Sequence, residues 1–317
     1  MAAAAVTVAV GIADSDGDTF ADPHWAGLEV RMGRAVAPYD VALTDPMPGT
    51  PAGDRRVELD AWMSNASAAG VEPLVTFEAS RRTPGVAPTA DAFADAMRAF
   101  LATYPAVRHL APWNEPNFRG GGNPLDGDPE LAAGYWHALV AVAGDRTVAA
   151  GEFAGAPGDP YVDRYLAALG DARPDVWAFH AHTDPNRFQA GVDDSAPATR
   201  YFLDVLGRRW PDAAIWIDEI GAYYRDAHRR VWGDDSQRAA TCFILGLATL
   251  SPRIERIYYY NFANECSTAS RCAIQDRGVV SPSPLDGTPL DYDDAGRRRA
   301  SYAVIRDRGP VVAPGAP

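Results

Sequence analysis

Short apolar runs alternate along the chain with stretches in which apolar residues recur every three or four positions. The runs at residues 6–12, 32–38, 73–77, 107–113, 148–153, 176–182, 214–219 and 254–262 read as strands, being short and rich in β-branched and aromatic side chains. Between them, Phe93, Met97, Phe100 and Leu101 fall at i, i+4, i+7 and i+8, one apolar stripe on a helix, and Leu59, Trp62, Met63 and Ala66 make another. Further helices are expected at 131–142, 162–169, 201–206, 238–250 and 297–306, while 119–129 and 184–199 read as long loops at the mouth of a cleft. Strand and helix in strict alternation imply repeated βα units on a parallel sheet. Eight such units predict one α/β domain, a single (β/α)8 TIM barrel over residues 1–309, followed by a Pro- and Ala-rich tail at 310–317. A doubly wound nucleotide-binding sheet is the rival, but residues 13–18 lack the glycine spacing its first turn needs.

In a closed barrel the chemistry sits where strands end at the C-terminal mouth. The fourth strand ends Trp113-Asn114-Glu115-Pro116-Asn117, and the seventh ends Trp216-Ile217-Asp218-Glu219-Ile220-Gly221. Alternation puts Ile215, Ile217 and Glu219 on one face of the seventh strand and Trp216 with Asp218 on the other. If the isoleucines fill the barrel, Glu219 points inward and Asp218 away from the site. A glutamate at a strand end is more often a solvated surface group. Two in matching contexts make a pair able to divide proton transfer and nucleophilic attack. His180 and His182 end the sixth strand on one face, where backbone groups could satisfy them. Two histidines without a third ligand make a poor metal site, so neither metal nor cofactor is expected.

Composition narrows the partners. A formal net charge of −13 repels phosphate backbones, so no nucleic-acid partner is expected, and no apolar run is long enough to cross a membrane. A neutral, polyhydroxylated substrate is indifferent to that charge. The chain contains no lysine, which excludes Schiff-base catalysis by a lysine. Arginine as the only permanently charged base, among many Ala, Gly and Pro residues, points to a GC-rich bacterial genome.

The Asn114-Glu115-Pro116 string and the Glu219 strand end resemble the catalytic pair of the clan A glycoside hydrolases, with strand order and spacing similar over almost the whole chain. The string is similar to that of family 39 xylosidases and iduronidases and of some family 5 endoglycanases. The resemblance implies a retaining hydrolase of a carbohydrate substrate, with Glu115 as general acid/base, Glu219 as nucleophile and the carboxyl groups about 5 to 5.5 Å apart. It also implies that Arg34 keeps the nucleophile ionised and that Asn114 bonds the sugar 2-hydroxyl. Where the clan carries His-x-Tyr this chain has His180 and His182, a departure that removes the usual tyrosine contact to the nucleophile. Tyr260 stands where many members place a tryptophan platform. Trp113, Tyr223 and Tyr224 are further candidates for sugar contact, with packing as the rival role. Two other functions fit a barrel: a noncatalytic carbohydrate-binding protein, which would usually have lost a catalytic carboxylate, and a metal-dependent hydrolase, which needs His and Asp at several strand ends.

Of the three cysteines, Cys242 lies in an apolar helical stretch and reads as a buried thiol. Cys266 and Cys272 bracket a short polar segment, where a disulfide would contribute about 2 kcal/mol. Two free thiols are the alternative. Zinc is the weaker reading, because the Cys-x-x-Cys spacing is missing. A disulfide implies a secreted protein, although the sequence from Met1 shows no basic and apolar leader segment. Thiol counting on denatured, unreduced protein should return one free thiol, from Cys242. A count of three would remove both the disulfide and the argument for export.

Overall fold

The computed structural model describes residues 8–120, 122–155, 157–228, 230–263, 276–281, 297–309, 311 and 313–314. Cys266 and Cys272 lie outside the described residues, whereas Cys242 is a buried free thiol. The strands are β1 (Ala9–Ala13), β2 (Met32–Pro38), β3 (Glu72–Glu78), β4 (His109–Ala111), β5 in two segments (Thr147–Val148 and Ala150–Ala154), β6 (Val176–His180), β7 (Ala214–Ile220) and β8 (Ile254–Tyr259). Every pairing between them is parallel, each strand pairs with its neighbour in sequence, and β1 pairs with β8. One half of β5 pairs with β4 and the other with β6, so the sheet closes into the expected eight-stranded barrel.

Helices α1 (Trp25–Leu28), α2 (Pro51–Ala68), α3 (Ala90–Thr103), α4 (Pro129–Ala143), α5 (Pro160–Ala168), α6 (Thr183–Gln189), α7 (Pro197–Arg209), α8 (Gly233–Gly246) and α9 (Ala300–Asp307) occupy the connections. Their starts are written locally. Thr50, Thr89, Asp128 and Asp159 each accept a hydrogen bond from a backbone N–H of the first turn, and Pro51, Pro129 and Pro160 follow three of these caps. The stripe on α3 packs as expected: Phe93 stacks on Tyr135 of α4 at 4.5 Å, and Phe100 meets Phe77 of β3 at 4.9 Å. The segment 184–199, expected as a long loop, instead holds α6 and the start of α7. Asp184 caps the second of these by accepting from the backbone of Ala198 and Thr199.

Inside the barrel, Ala13, Leu74, Ala111, Ala149, Val176 and Ala178 pack around two large side chains, Trp216 and Tyr258. Alanine on most strands makes the space those rings fill. Even Gly11 faces Tyr258 so closely that a Cβ there would sit 2.5 Å from the ring. The floor is polar: Glu72 Oε1 accepts from His109 Nε2 at 2.6 Å and from Arg256 Nη1 at 2.7 Å, and Arg256 lies 4.4 Å over Trp216.

Trp216, not the isoleucines, fills the barrel, which corrects the face assignment read from sequence. Ile215 and Ile217 belong to the layer between sheet and helices, so alternation alone turns Asp218 inward and Glu219 outward. The register repairs this. Phe179 pairs with Ile217 but His180 with Glu219, and Ile257 with Ile217 but Tyr259 with Ile220, so beyond Ile217 β7 carries one extra residue relative to both neighbours, after an opposite shift against β8 between Ile215 and Trp216. A bulge of this kind breaks the period-2 rule and lets two successive side chains reach one face.

Candidate active site

Arg34 stands at the centre of the barrel mouth, on β2, and is 1% exposed. Nη1 donates to Glu219 Oε2 at 2.8 Å, and Nε lies 3.3 Å from Asp218 Oδ2. Nη2 donates to Asn114 Oδ1 at 2.7 Å, and Glu152 Oε2 and His180 Nε2 stand at 3.2 and 3.1 Å from it. One guanidinium thus gathers residues from β2, β5, β6, β7 and the turn after β4.

Glu152 escaped the sequence reading. It is the extra residue of a second bulge, between Gly151 and Phe153 opposite β6, with φ of 57°, and Gly151 before it has φ of 97°. A Cβ on Gly151 would lie 2.7 Å from the Ala178 carbonyl, so only glycine fits where the bulge begins. The bulge sends the Glu152 carboxyl fully inside, onto Thr76 and Arg34. Burial lifts it well above the usual carboxylate range, and neighbouring Asp218 adds to the rise against the pull of Arg34. The only signal for it in the sequence was a Gly-Glu pair inside an apolar run.

Glu115 follows β4 in a left-handed conformation, φ 46°, stabilised by its N–H donating to the Glu152 carbonyl at 3.1 Å. Asn123 clamps the turn, its side-chain amide donating to the carbonyls of Glu115, Pro116 and Phe118. His180, fully buried, brings Nδ1 within 2.9 Å of Glu115 Oε1. Burial would lower the imidazole pKa, but the Glu219 charge, the bond to Glu115 and the Asp218 charge outweigh it and bring His180 up to about 9.

Glu219 is shaped by its neighbours. Besides Arg34 it meets His182, whose Nε2 lies 3.1 Å from Oε1. Burial would push this carboxyl up, yet the His180 charge, the His182 hydrogen bond and Arg34 hold it well below the usual carboxylate range. His182 itself is lowered to about 4 by burial and by the charge of Arg277, and is therefore neutral at pH 7. The contact to Glu219 that the missing tyrosine put in question is made by His182.

Other expected contacts moved. Trp113 is 2% exposed and packs between Tyr39 and Tyr135, and it also lines the groove beside Glu115. His180 and Arg34 are buried beneath the carboxylates and hold them. Arg277 and Arg299 lie 3.9 and 3.8 Å over the rings of Tyr223 and Tyr224, each of which therefore has one face covered by a guanidinium. Tyr260 stands edge-on to His182 at 5.9 Å, where the mouth begins. Gly221 passes beneath it so tightly that a Cβ would fall 1.8 Å from the Tyr260 carbonyl oxygen. On the other side of Glu115 a groove of about 220 Å³ opens between Glu78, Arg81, Phe118 and Asn123, with Phe118 49% exposed.

Glu152, His180 and Asp218 offer donor atoms within 4.8 Å of one another, a set that in isolation suits a metal ion. Arg34 already lies against all three, and Glu152 favours its protonated form, so the set serves a guanidinium.

A parallel eight-stranded barrel with carboxylates converging at its C-terminal mouth frames the site, and comparisons with known proteins give it a family. The glycosyl hydrolase catalytic core family matches residues 87–276, and the chain belongs to it. Solved structures share its fold at low identity. A family 39 glycoside hydrolase from Bacteroides cellulosilyticus WH2 has a TM-score of 0.65 at 15% identity, over 94% of this chain and 62% of that one. A family GH5_18 protein from Streptomyces cattleya, in complex with GlcNAc, scores 0.66 at 14% identity, over 98% and 82%. A glucosidase from Croceicoccus marinus scores 0.63 at 13%, over 94% and 65%. The chain thus spans less than two thirds of the first and third of these. Among curated protein sequences no match is found.

Removing the central cation should be costly. Arg34→Met leaves buried carboxylates without their partner, and urea unfolding at pH 7 should show a loss of about 3–5 kcal/mol. Glu219 has a depressed pKa in the native protein, so its contribution is present above the ordinary carboxylate range and disappears as pH falls. The stability gap between Arg34→Met and the parent should therefore hold down to about pH 4.5, the ordinary glutamate value, and narrow only as pH falls below it. A gap independent of pH would show that Arg34 acts by packing alone.

Proposed function

We propose that the protein is a retaining O-glycosidase working by double displacement, with Glu219 as nucleophile and Glu115 as general acid/base. The observation that carries the reading is the unequal treatment of the two carboxyl groups. Glu219 is held anionic by Arg34 and receives a further hydrogen bond from a neutral imidazole. Glu115 has no guanidinium partner among the described residues; its Oε1 meets His180 Nδ1 at 2.9 Å, and among the same residues its Oε2 makes no hydrogen bond. In the first step Glu219 attacks the anomeric carbon, the bond to the leaving oxygen breaks, and Glu115 Oε2 delivers the proton that oxygen needs. In the second, Glu115 takes a proton from water as the water displaces Glu219 from the sugar.

Asn114 is turned towards the site by Arg34 and is assigned to the sugar 2-hydroxyl; Tyr260 and His182 line the side of the nucleophile. The groove beside Glu115, with the exposed ring of Phe118, suits the leaving group, since the acid must stand next to the departing oxygen. An oligo- or polysaccharide substrate met outside the cell belongs to the same proposal and rests on the Cys266 and Cys272 spacing.

A 2-deoxy-2-fluoro glycoside of the accepted sugar should arrest the covalent intermediate and label one peptide, at Glu219. Label on Asp218 or Glu78 would overturn the assignment. Glu115→Ala should lower turnover of glycosides with poor leaving groups by about 10²–10⁴-fold. Activated aryl glycosides should suffer much less in glycosylation, and azide should restore part of their turnover. Equal losses on both substrate types would remove Glu115 from the acid's role.

A further inference from the structure

Behind His182 stands a residue that no barrel strand supplies. Arg277 lies beyond β8, is 6% exposed, and stacks 3.9 Å over the Tyr223 ring. Its Nη1 is hydrogen-bonded to His182 Nδ1 and lies 3.4 Å from the Gly221 carbonyl oxygen. A guanidinium has donors only, so His182 Nδ1 must present its lone pair to it. The ring's one proton is then confined to Nε2, 3.1 Å from Glu219 Oε1. The other tautomer, and the imidazolium, would each set an N–H against an N–H at Nδ1.

We propose that Arg277 is a positioning residue for the nucleophile: by occupying His182 Nδ1 it keeps this imidazole neutral and directs its single N–H to Glu219. The inference rests on the reading of Glu219 as nucleophile. Only interactions that strengthen towards the transition state accelerate a reaction. Glu219 loses its charge as it becomes an ester. An imidazolium beside it would add a second full ion pair to the ground state, to be given up on the way, whereas a neutral donor gives up less.

The groups facing His182 come from several elements. Glu219 on β7 favours its protonation. Arg277 opposes it, as does His180 on β6 with ring centroids 6.4 Å apart, and Tyr260 past β8 meets its face edge-on. Arg34 reaches it only through Glu219.

Nitrogen-resolved NMR of the histidines tests this directly. His182 should hold the Nε2–H tautomer from pH 5 to pH 8 in the parent protein. In Arg277→Met, Nδ1 is freed beside an anionic carboxylate, and His182 should titrate at or above its ordinary value of 6.5. On an activated aryl glycoside, which needs no acid assistance, kcat/KM of that variant should gain an acidic limb, about tenfold lower one pH unit below the new pKa. Loss above pH 8 should be smaller. Arg277→Lys, which still donates to Nδ1, should restore the profile. In a His182→Tyr background, where the phenol needs no tautomer fixed, Arg277→Met should no longer change the profile's shape. His182 keeping its tautomer and low titration in Arg277→Met, or a loss uniform with pH in both backgrounds, would overturn the proposal. The NMR readout needs no turnover, so failure of the proposal is distinguishable from failure of the glycosidase reading.

Discussion

A guanidinium sealed inside a protein must be matched by anions and acceptors, because burying an unpaired ion costs several kcal/mol even after relaxation. Arg34 sets that condition for the mouth of this barrel, and much of the local architecture answers it. Asp218, Glu219, Glu152, His180 and Asn114 all come to its three nitrogens. Regular strands could not deliver them. Two bulges, one at Glu152 on β5 and one in β7, break the alternation and turn extra carboxyl groups inward. The left-handed backbone at Glu115 and Glu152 belongs to the same adjustment, and each strained turn is held by hydrogen bonds from its surroundings.

The consequence is a graded set of carboxyl groups around one cation. Glu152, deepest, favours its proton; Glu219, beside Arg34 and His182, favours its charge. Between them His180 bridges Arg34 to Glu115, so a chain of contacts joins the two glutamates on opposite sides of the mouth. His182 fits the same logic. A histidine can replace a tyrosine as hydrogen-bond donor to Glu219 only if it stays neutral, and burial together with Arg277 keeps it so.

The barrel was legible in the sequence because strand and helix periodicities alternate along the chain. Residues 32–38 and 214–219 came out within a residue of β2 and β7, while α6 was missed because seven residues with little apolar pattern look like loop. Glu115 and Glu219 were legible as strand-end glutamates in matching contexts. Their surroundings were less so. The face of β7 was read from Ile215 and Ile217 without allowance for Trp216 as the residue large enough to fill a barrel walled by alanines. The inward turn of Glu152 and Glu219 depends on bulges, which a period-2 reading cannot contain. Arg277 lies past the last strand and meets His182 only through the closed fold.

The account turns on Glu219 attacking carbon rather than activating water. Proton NMR of the first-formed sugar, recorded before mutarotation on the best substrate from a panel of glycosides, decides between the two. Retention of the anomeric configuration is the predicted result. An inverted product would mean that a water molecule stands between Glu219 and the sugar, and would contradict the double displacement.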